Sequence, residues 1–226
     1  MPDRVVDLTH EVYNGLAHFI HPPLTIIDYH QRRWNHLNFE PPAEGFDTKL
    51  LTLIDHYGTH VDAPTHYYPD GVSVESMPLE STMGPAVLFD VSDRGVDKPI
   101  TAQLLQEVME RRRIPFEPSD IVLIRAWPKG WLEDGFYDCR GITGDATDWL
   151  IERGAKAVGI DIATLDDLIP CDPKRPAHVR LLGRNIPIFE NVANLDRLTA
   201  THFHFQGLPL RIRGLTASPV RAIAIE

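Results

Sequence analysis

The sequence predicts a single α/β domain with a mixed β-sheet over residues 1–226. Short apolar runs rich in β-branched residues recur along the chain, bounded by Gly, Pro and Asp, which is typical of strands. Helical periodicity is confined to a few segments, and the sequence shows neither an internal repeat nor a flexible linker. A chain of this length can bury one sizeable core. We therefore expect one domain with more strand than helix.

The predicted elements follow one another along the whole chain. The strands are predicted over 4–8, 49–54, 86–91, 121–124, 157–161, 186–189, 203–212 and 220–225. A first helix is predicted over 102–112, where apolar residues share one face and Thr101 is a suitable N-cap. A second is predicted over 145–153, because Gly154 follows at the position where glycine commonly ends a helix. A third helical turn is predicted near 165–169.

The composition is that of an ordinary soluble globular protein. It is 43% hydrophobic and 24% charged, which is ordinary for a soluble domain. The longest apolar runs fall short of the roughly 20 residues that span a bilayer, and the N-terminus has no secretory h-region. The net charge of −10 works against a nucleic-acid partner. We expect a cytoplasmic protein with no membrane or nucleic-acid partner.

Eleven histidines are clustered along the chain, and the densest group is the most informative. His56, His60, Asp62 and His66 all stand at even positions. Alternate residues of an extended chain point to the same side, so these four would project together. A single histidine more often packs or caps a turn, but this set on one side of a short segment favours a metal site.

The residue types in this segment suit a catalytic metal. Two imidazoles and one carboxylate form a nitrogen and oxygen ligand set for Zn(II), Mn(II) or Fe(II) that leaves positions open for water and substrate. Gly58 allows the backbone to bend, and Pro64 would turn the chain so that His66 faces the activated water. A bound metal lowers the pKa of water to about 7, and a nearby histidine can carry the proton to a leaving nitrogen.

The pattern His56-x-Gly58-Thr59-His60-x-Asp62-x-Pro64-x-His66 closely resembles the signature of the cyclase-like metal hydrolases, the family of bacterial kynurenine formamidase and isatin hydrolase. Residues 7–9, 158–161 and 217–222 resemble other segments of that family. The resemblance implies a mixed, barrel-like sheet flanked by a few helices, the swivelling β/α/β cyclase-like fold. It also implies assembly as a homodimer or homotetramer.

The resemblance assigns roles to individual residues of this chain. His178 and Glu190 stand twelve residues apart, as do a histidine and a glutamate that complete a second metal site in the formamidases. The metal ligands that the resemblance implies are His56, His60, Asp62, His178 and Glu190. It implies that His66 is the proton donor and acceptor. The cofactor would be Zn(2+) or Mn(2+), with one or two ions per subunit.

The N-terminal region departs from the formamidase pattern. Formamidases carry an aromatic-Pro-Gly element there, with a tryptophan that contacts the substrate, whereas this chain has His18-Phe19-Ile20-His21-Pro22-Pro23. We predict that His18, Phe19 and His21 contact the substrate. Because the tryptophan is missing, the substrate need not be of the kynurenine type.

The leading hypothesis is hydrolysis of a C–N amide bond by metal-activated water. The bond would lie in a lactam or an N-formyl group of a small aromatic or carboxylated molecule, and His66 would protonate the leaving nitrogen. An alternative is a metal-dependent lyase or cyclase that enolises a carbonyl substrate. A second alternative is a non-catalytic metal-binding or ligand-sensing protein, which would have no need of His66.

Overall fold

The computed structural model describes residues 4–16, 21–31, 39–167 and 174–226. In this part of the chain, the strands are β1 Val5–Asp7, β2 Thr25–His30, β3 Thr48–Thr52, β4 His60–Asp62, β5 Met83–Asp90, β6 Ile121–Arg125, β7 Ala157–Ile160, β8 Ile188–Glu190, β9 His202–Gln206, β10 Ala217–Pro219 and β11 Ile223–Ile225. The α-helices described are α1 Ala102–Arg112, α2 Gly144–Glu152 and α3 Pro176–Leu182.

Across the described ranges, a nine-stranded mixed sheet has the order β1-β11-β9-β5-β6-β7-β8-β4-β10. Strands β5 to β8 pair in parallel, and the remaining pairs are antiparallel. The sheet curls into a half-barrel with the helices beside it, which confirms the predicted α/β fold with a barrel-like mixed sheet. Strands β2 and β3 form a separate antiparallel pair.

The central parallel strands are apolar on both faces, because each face covers a different core. In β6, Val122 and Ile124 pack in the core that also contains buried residues of all three helices. Ile121 and Leu123 alternate with them and pack in the core on the other face of the sheet. Parallel strands that are covered on both faces have continuous apolar sequences. The central strands are therefore easy to predict from the sequence.

The helix ends follow the predicted capping. The Thr101 hydroxyl accepts a hydrogen bond from the Leu104 amide at 3.2 Å, and α1 has the predicted bounds. Helix α2 begins one residue before its predicted start at Asp145. Gly154 follows that helix with a φ of 83°, a left-handed conformation that glycine adopts without strain.

Several predicted boundaries are wrong for identifiable reasons. The strand predicted over 203–212 ends at Gln206, because Gly207 and Pro209 interrupt regular pairing. The strand predicted over 220–225 is shorter than predicted, since β11 covers only Ile223–Ile225, and β10 lies before the predicted range. Residues 165–167 are not helical, and Asp166 instead forms a β-bridge with Ile142. The rest of that predicted turn, 168–169, lies outside the described residues.

Helix α3 was not predicted, because its seven residues are too short for clear periodicity. Among the described residues, no helix combines the length and the apolar character that crossing a membrane requires.

Candidate metal centre

Strands β4 and β8 bring the first polar side chains of the site together. They pair antiparallel with His60 opposite Glu190 and Asp62 opposite Ile188. His60 and Asp62 are two residues apart on a strand, so both side chains project to the face that carries the helices. Val61 alternates with them and packs in the opposite core. The even-numbered pattern therefore corresponds to one face of a strand only for His60 and Asp62, because β4 ends at Asp62 and residues 64–66 form a 3-10 turn.

Helix α3 adds a histidine from the same face. His178 Nε2 lies 3.3 Å from Asp62 Oδ2 and 3.4 Å from Glu190 Oε1. His60 Nε2 lies 3.4 Å from Asp62 Oδ1 and 3.6 Å from Glu190 Oε2. All four residues are buried, with Asp62 fully inaccessible. Two imidazoles thus face two carboxylates, and little of their surface is exposed to solvent.

The segment before β4 and the turn after it supply two more histidines. His56 Nδ1 lies 2.8 Å from Asp62 Oδ1. The ring centroid of His66 is 4.1 Å from that of His56. Two groups, His56 with Asp62 and His66, and His60 with Asp62 and Glu190, each have nitrogen and oxygen atoms within 4.8 Å of one another. Asp62 belongs to both groups.

Protein oxygens fix the tautomers of two of these histidines. His60 Nδ1 is 2.9 Å from the Gly58 carbonyl, which can only accept, so this nitrogen carries the proton. His178 Nδ1 is 2.6 Å from the Asp166 carboxylate and donates to it in the same way. In each neutral ring, the Nε2 lone pair is therefore directed at the carboxylates of Asp62 and Glu190.

His56 is oriented by a chain of two further residues. The Thr216 hydroxyl donates to Asp55 Oδ2 at 3.0 Å and lies 3.2 Å from His56 Nε2, so it accepts the proton of that nitrogen. The Nδ1 lone pair of His56 then faces Asp62. Sequence reasoning missed Asp55, Thr216 and Asp166, because no local spacing links residues so distant along the chain.

This arrangement needs a positive charge at its centre. Within the described part of the chain, His60 Nε2 and both carboxylate oxygens of Asp62 are buried without a hydrogen-bond partner. Buried polar atoms in that state cost roughly 1–3 kcal/mol each unless something binds them. Nitrogen and oxygen lone pairs that converge in this way fit a divalent cation such as Zn(2+) or Mn(2+). The residues present therefore fit a metal.

The electrostatics of His60 agree with this fit. Burial opposes its positive charge, yet the adjacent Asp62 and Glu190 carboxylates outweigh burial and raise the pKa of His60 to about 8. The same carboxylates, with Asp166, hold the pKa of the buried His178 well above its ordinary value. The cluster thus attracts positive charge.

His66 differs from the buried histidines because it lies at the rim and keeps part of its surface exposed to solvent. Partial burial lowers its pKa to about 4, and the neighbouring His56 and His178 rings act in the same direction against the attraction of Asp62. A neutral imidazole at the mouth of the site can accept a proton.

A cavity of about 230 Å³ opens onto this cluster. Its walls are formed by His21, His56, His60, His66, Tyr67, Ala163, Thr164, Arg175, His178 and Glu190. His21, predicted as a substrate contact, therefore lies at the cavity, whereas His18 and Phe19 lie outside the described residues. A cavity of about 380 Å³ beside Trp127 and Trp131 shares none of these residues.

The odd-numbered residues of the motif hold the N-terminal segment. The Tyr57 hydroxyl donates to the Leu16 carbonyl and accepts a hydrogen bond from the Leu24 amide at 3.2 Å. The Thr59 hydroxyl accepts from the His10 amide at 3.0 Å. Gly58 has a φ of 64°, and a Cβ there would lie 2.8 Å from the Val12 side chain. Residues 10–16 and Leu24 are thus attached to the loop that carries the candidate ligands.

The fold is a half-barrel sheet, and a buried cluster of histidines and carboxylates lies at the end of a cavity. These features define an α/β protein with a candidate metal centre that is open to a small molecule.

The family model described as "Putative cyclase" matches residues 6–167. The chain belongs to this cyclase family, which confirms the resemblance carried by the His56–His66 segment. His178 and Glu190 lie beyond the matched residues.

The chain is also similar to kynurenine formamidases. It is 31% identical to that of Erythrobacter litoralis over 224 residues, which is 99% of this chain and 94% of the relative. It is 31% identical to that of Bacillus cereus over 174 residues, which is 76% of this chain and 77% of the relative. The similarity to the Erythrobacter protein thus extends over nearly the whole chain.

Solved structures of isatin hydrolases have the same fold. Isatin hydrolase A from Labrenzia aggregata, bound to benzyl benzoate, has a TM-score of 0.81 and 25% identity, covering 99% of this chain and 93% of that one. Isatin hydrolase A from Ralstonia solanacearum has a TM-score of 0.80 and 26% identity, covering 99% and 92%. The predicted fold family is confirmed by these similarities.

Proposed function

We propose that this protein is a metal-dependent hydrolase of a C–N amide bond. The bond lies in a lactam or an N-formyl group of a small aromatic or carboxylated molecule. The observation that carries the proposal is the convergence of three imidazole lone pairs on the carboxylates of Asp62 and Glu190. The similarity to formamidases and isatin hydrolases, which are hydrolases of C–N amide bonds, supports the reaction class.

The residues that would hold the metal, one or two ions of Zn(2+) or Mn(2+), are His56, His60, Asp62, His178 and Glu190. When bound, such an ion supplies a Lewis acid for the carbonyl and lowers the pKa of water to about 7. Asp166 and Thr216 accept the ring protons of His178 and His56. These protons therefore stay on the nitrogens that face away from Asp62 and Glu190. The lone pairs thus stay available to a cation.

His66 is the proton carrier in this proposal. A ring nitrogen accepts a proton from the attacking water and returns it to the leaving nitrogen of the amide. Its place at the rim of the cavity, beside His56 and outside the buried cluster, suits transfer between site and substrate. The neutral state that partial burial favours leaves the nitrogen free to accept.

Replacement of His66 tests this role. We expect His66→Asn to lower kcat at least 100-fold, because general acid–base catalysis contributes about 10²–10⁴-fold, while metal content per subunit stays unchanged. Turnover would be measured on N-formyl anilines, isatin-like lactams and cyclic imides. His202→Asn is the matched control, since His202 is exposed on β9. Full activity of His66→Asn with normal metal content would remove His66 from the mechanism.

Turnover in H₂¹⁸O tests the reaction class directly. Hydrolysis places one solvent oxygen in the acid formed from the amide carbonyl, and mass spectrometry of that product detects it. Unlabelled product would contradict hydrolysis and favour elimination or cyclisation.

We also propose that the protein assembles as a homodimer or homotetramer. The pair β2–β3 supports this, because Ile27 and Leu50 face each other across it and are 49% and 50% exposed. A two-stranded sheet alone is at best marginally stable in water. A second copy of the chain would cover these apolar side chains.

A further inference from the structure

Two polar groups on the cavity wall take no part in holding the histidine and carboxylate cluster. They are the guanidinium of Arg175 and the hydroxyl of Tyr67, and both line the 230 Å³ cavity. Within the part of the chain that the structure describes, neither group has a hydrogen bond or an ion pair. Both can therefore donate to a molecule in the cavity.

Among the described residues, Arg175 has no carboxylate partner although carboxylates are abundant. The chain has 32 acidic residues against 22 basic ones, so carboxylates are in excess. Several other arginines form ion pairs with carboxylates: Arg140 with Asp167, Arg180 with Asp148 and Arg125 with Asp90. The carboxylate that lines the cavity is already engaged, since Glu190 Oε1 accepts from the Leu165 amide.

The backbone conformation of Arg175 is strained for a residue that has a Cβ. Its φ of 42° and ψ of 61° place it in the left-handed region, which costs a residue with a Cβ roughly 1–2 kcal/mol. The following Pro176 disfavours helical conformations at this position as well. Glycine or asparagine would suit this backbone better. Strained positions that keep a large side chain are typical of binding and catalytic sites.

The charge balance of the cavity favours an anion. One divalent cation held by Asp62 and Glu190 would neutralise both carboxylates. The guanidinium of Arg175 then remains uncompensated in a partly enclosed space, where a charge interacts more strongly than in water. A carboxylate is the partner whose geometry matches the two parallel N–H groups of a guanidinium.

We propose that Arg175, assisted by the Tyr67 hydroxyl, binds a carboxylate of the substrate and so selects amides that carry one. This inference rests on the proposed function and narrows it to acidic amides. The ring of Tyr67 stacks on that of His178 with centroids 5.1 Å apart and an interplanar angle of 28°. Tyr67 therefore connects the anion position to a candidate metal ligand, and the carboxylate and the scissile bond can occupy one cavity together.

Paired substrates test the selection. 2-Formamidobenzoate and formanilide share the same N-formyl bond but differ by one carboxylate. We expect Arg175→Gln to raise KM for 2-formamidobenzoate at least 10-fold, with kcat within about two-fold, and to leave both constants for formanilide unchanged. Arg175→Lys keeps the charge without the planar fork and should give an intermediate KM. Tyr67→Phe should raise KM for the same substrate by a smaller factor.

Arg184→Gln is the matched control. Arg184 lies just beyond the other end of α3, where its side chain donates to the Arg180 carbonyl at 3.1 Å, and it does not line the cavity. It should leave both substrates unaffected. An equal KM increase for both substrates in Arg175→Gln would mean a purely structural role and would overturn the inference.

Binding without turnover separates this inference from the proposed function. Isothermal titration of the metal-loaded protein with benzoate should show binding that weakens at least 10-fold in Arg175→Gln and persists in Arg184→Gln. Equal benzoate affinity in Arg175→Gln and wild type would overturn the inference, even if amides are hydrolysed. Arginine-dependent benzoate binding in a protein that hydrolyses no amide would support the anion site while contradicting the hydrolase proposal.

Discussion

Each buried histidine of the candidate metal centre has one ring nitrogen bound to a protein oxygen and the other directed at carboxylates. The partners differ in kind: a backbone carbonyl for His60, a carboxylate for His178 and a hydroxyl for His56. A carboxylate partner increases the basicity of an imidazole more than a carbonyl does. His178 should therefore be the ligand whose metal affinity depends most on its neighbour.

Replacement of Asp166 tests this dependence. We expect Asp166→Asn to weaken metal binding about 10- to 100-fold, the usual effect of losing such a partner, because the amide cannot stabilise positive charge on the His178 ring. Competition with a chromogenic chelator measures the affinity.

Asp167→Asn is the control for this experiment, because Asp167 pairs with Arg140 rather than with the cluster. Equal metal affinity in Asp166→Asn and wild type would remove Asp166 from the metal site.

The even-numbered residues of the central motif are predictable from sequence, whereas their partners are not. A strand repeats every two residues, so His60 and Asp62 share a face whatever surrounds them. Thr216 reaches the site because β10 pairs with β4, and Arg175 reaches it because α3 packs against β8. Contacts of that kind depend on the tertiary structure and leave no local pattern.

At the level of elements, the two sides of the segment 56–66 have different structural roles. One side presents candidate ligands, and the other fixes the N-terminal segment through Tyr57 and Thr59. Tyr57 is 1% exposed, and its ring packs against Leu16 and Leu24. The position of His21 at the cavity therefore depends on a side chain that does not itself reach the cavity.

Removal of the Tyr57 hydroxyl should loosen this segment without disturbing the cluster. The Leu16 carbonyl would keep only the Leu24 amide as a donor, so the change removes one hydrogen bond, worth about 0.5–1.5 kcal/mol. In Tyr57→Phe we expect faster hydrogen exchange of the Leu24 amide and unchanged metal content. Hydrogen-exchange mass spectrometry over residues 10–24 measures the effect.

Tyr13→Phe gives a matched comparison, since Tyr13 lies in the same segment but is 57% exposed. Unchanged exchange in Tyr57→Phe would mean that packing alone holds the segment.

The elements that sequence reasoning misjudged lie mainly on the surface. Leu208, Leu210 and Ile212 alternate as a half-buried strand would, yet they are 43%, 55% and 48% exposed. The alternation extended the predicted strand beyond β9, although Gly207 and Pro209 already opposed it. His202 and His204, by contrast, alternate with the buried Phe203 and Phe205, as in a strand whose polar residues face outward.

At the scale of the whole molecule, the β2–β3 pair exposes several large apolar side chains to solvent. Tyr29 is 64% exposed and Leu51 54%. If this pair forms the contact between copies, Leu50→Asp should dissociate the oligomer, because a buried unpaired charge is costly. Sedimentation velocity or light scattering would give the mass.

Leu79→Asp is the control for assembly, since Leu79 is 57% exposed on a different surface. An oligomer that persists in Leu50→Asp would exclude β2–β3 as the contact, and a monomeric wild type would contradict the proposed assembly.

Metal should also stabilise the fold as a whole, because its candidate ligands come from β4, β8 and α3. We expect Tm to rise when Zn(2+) or Mn(2+) is added to chelator-treated protein, since an ion at 100 times its Kd contributes about 2.7 kcal/mol. Scanning calorimetry measures the shift, which should be absent in Asp62→Asn. An equal rise in that variant would indicate binding elsewhere.

Asp62 is shared by the two candidate ligand groups, and this has a consequence for how ions load. Two cations that use the same carboxylate repel each other and compete for its electron density, so their binding constants cannot be independent. By linkage, each ion changes the affinity of the other by the same factor. If the protein takes up two ions, they should therefore load stepwise with negative cooperativity, and a singly occupied form should prevail over a broad range of metal concentration.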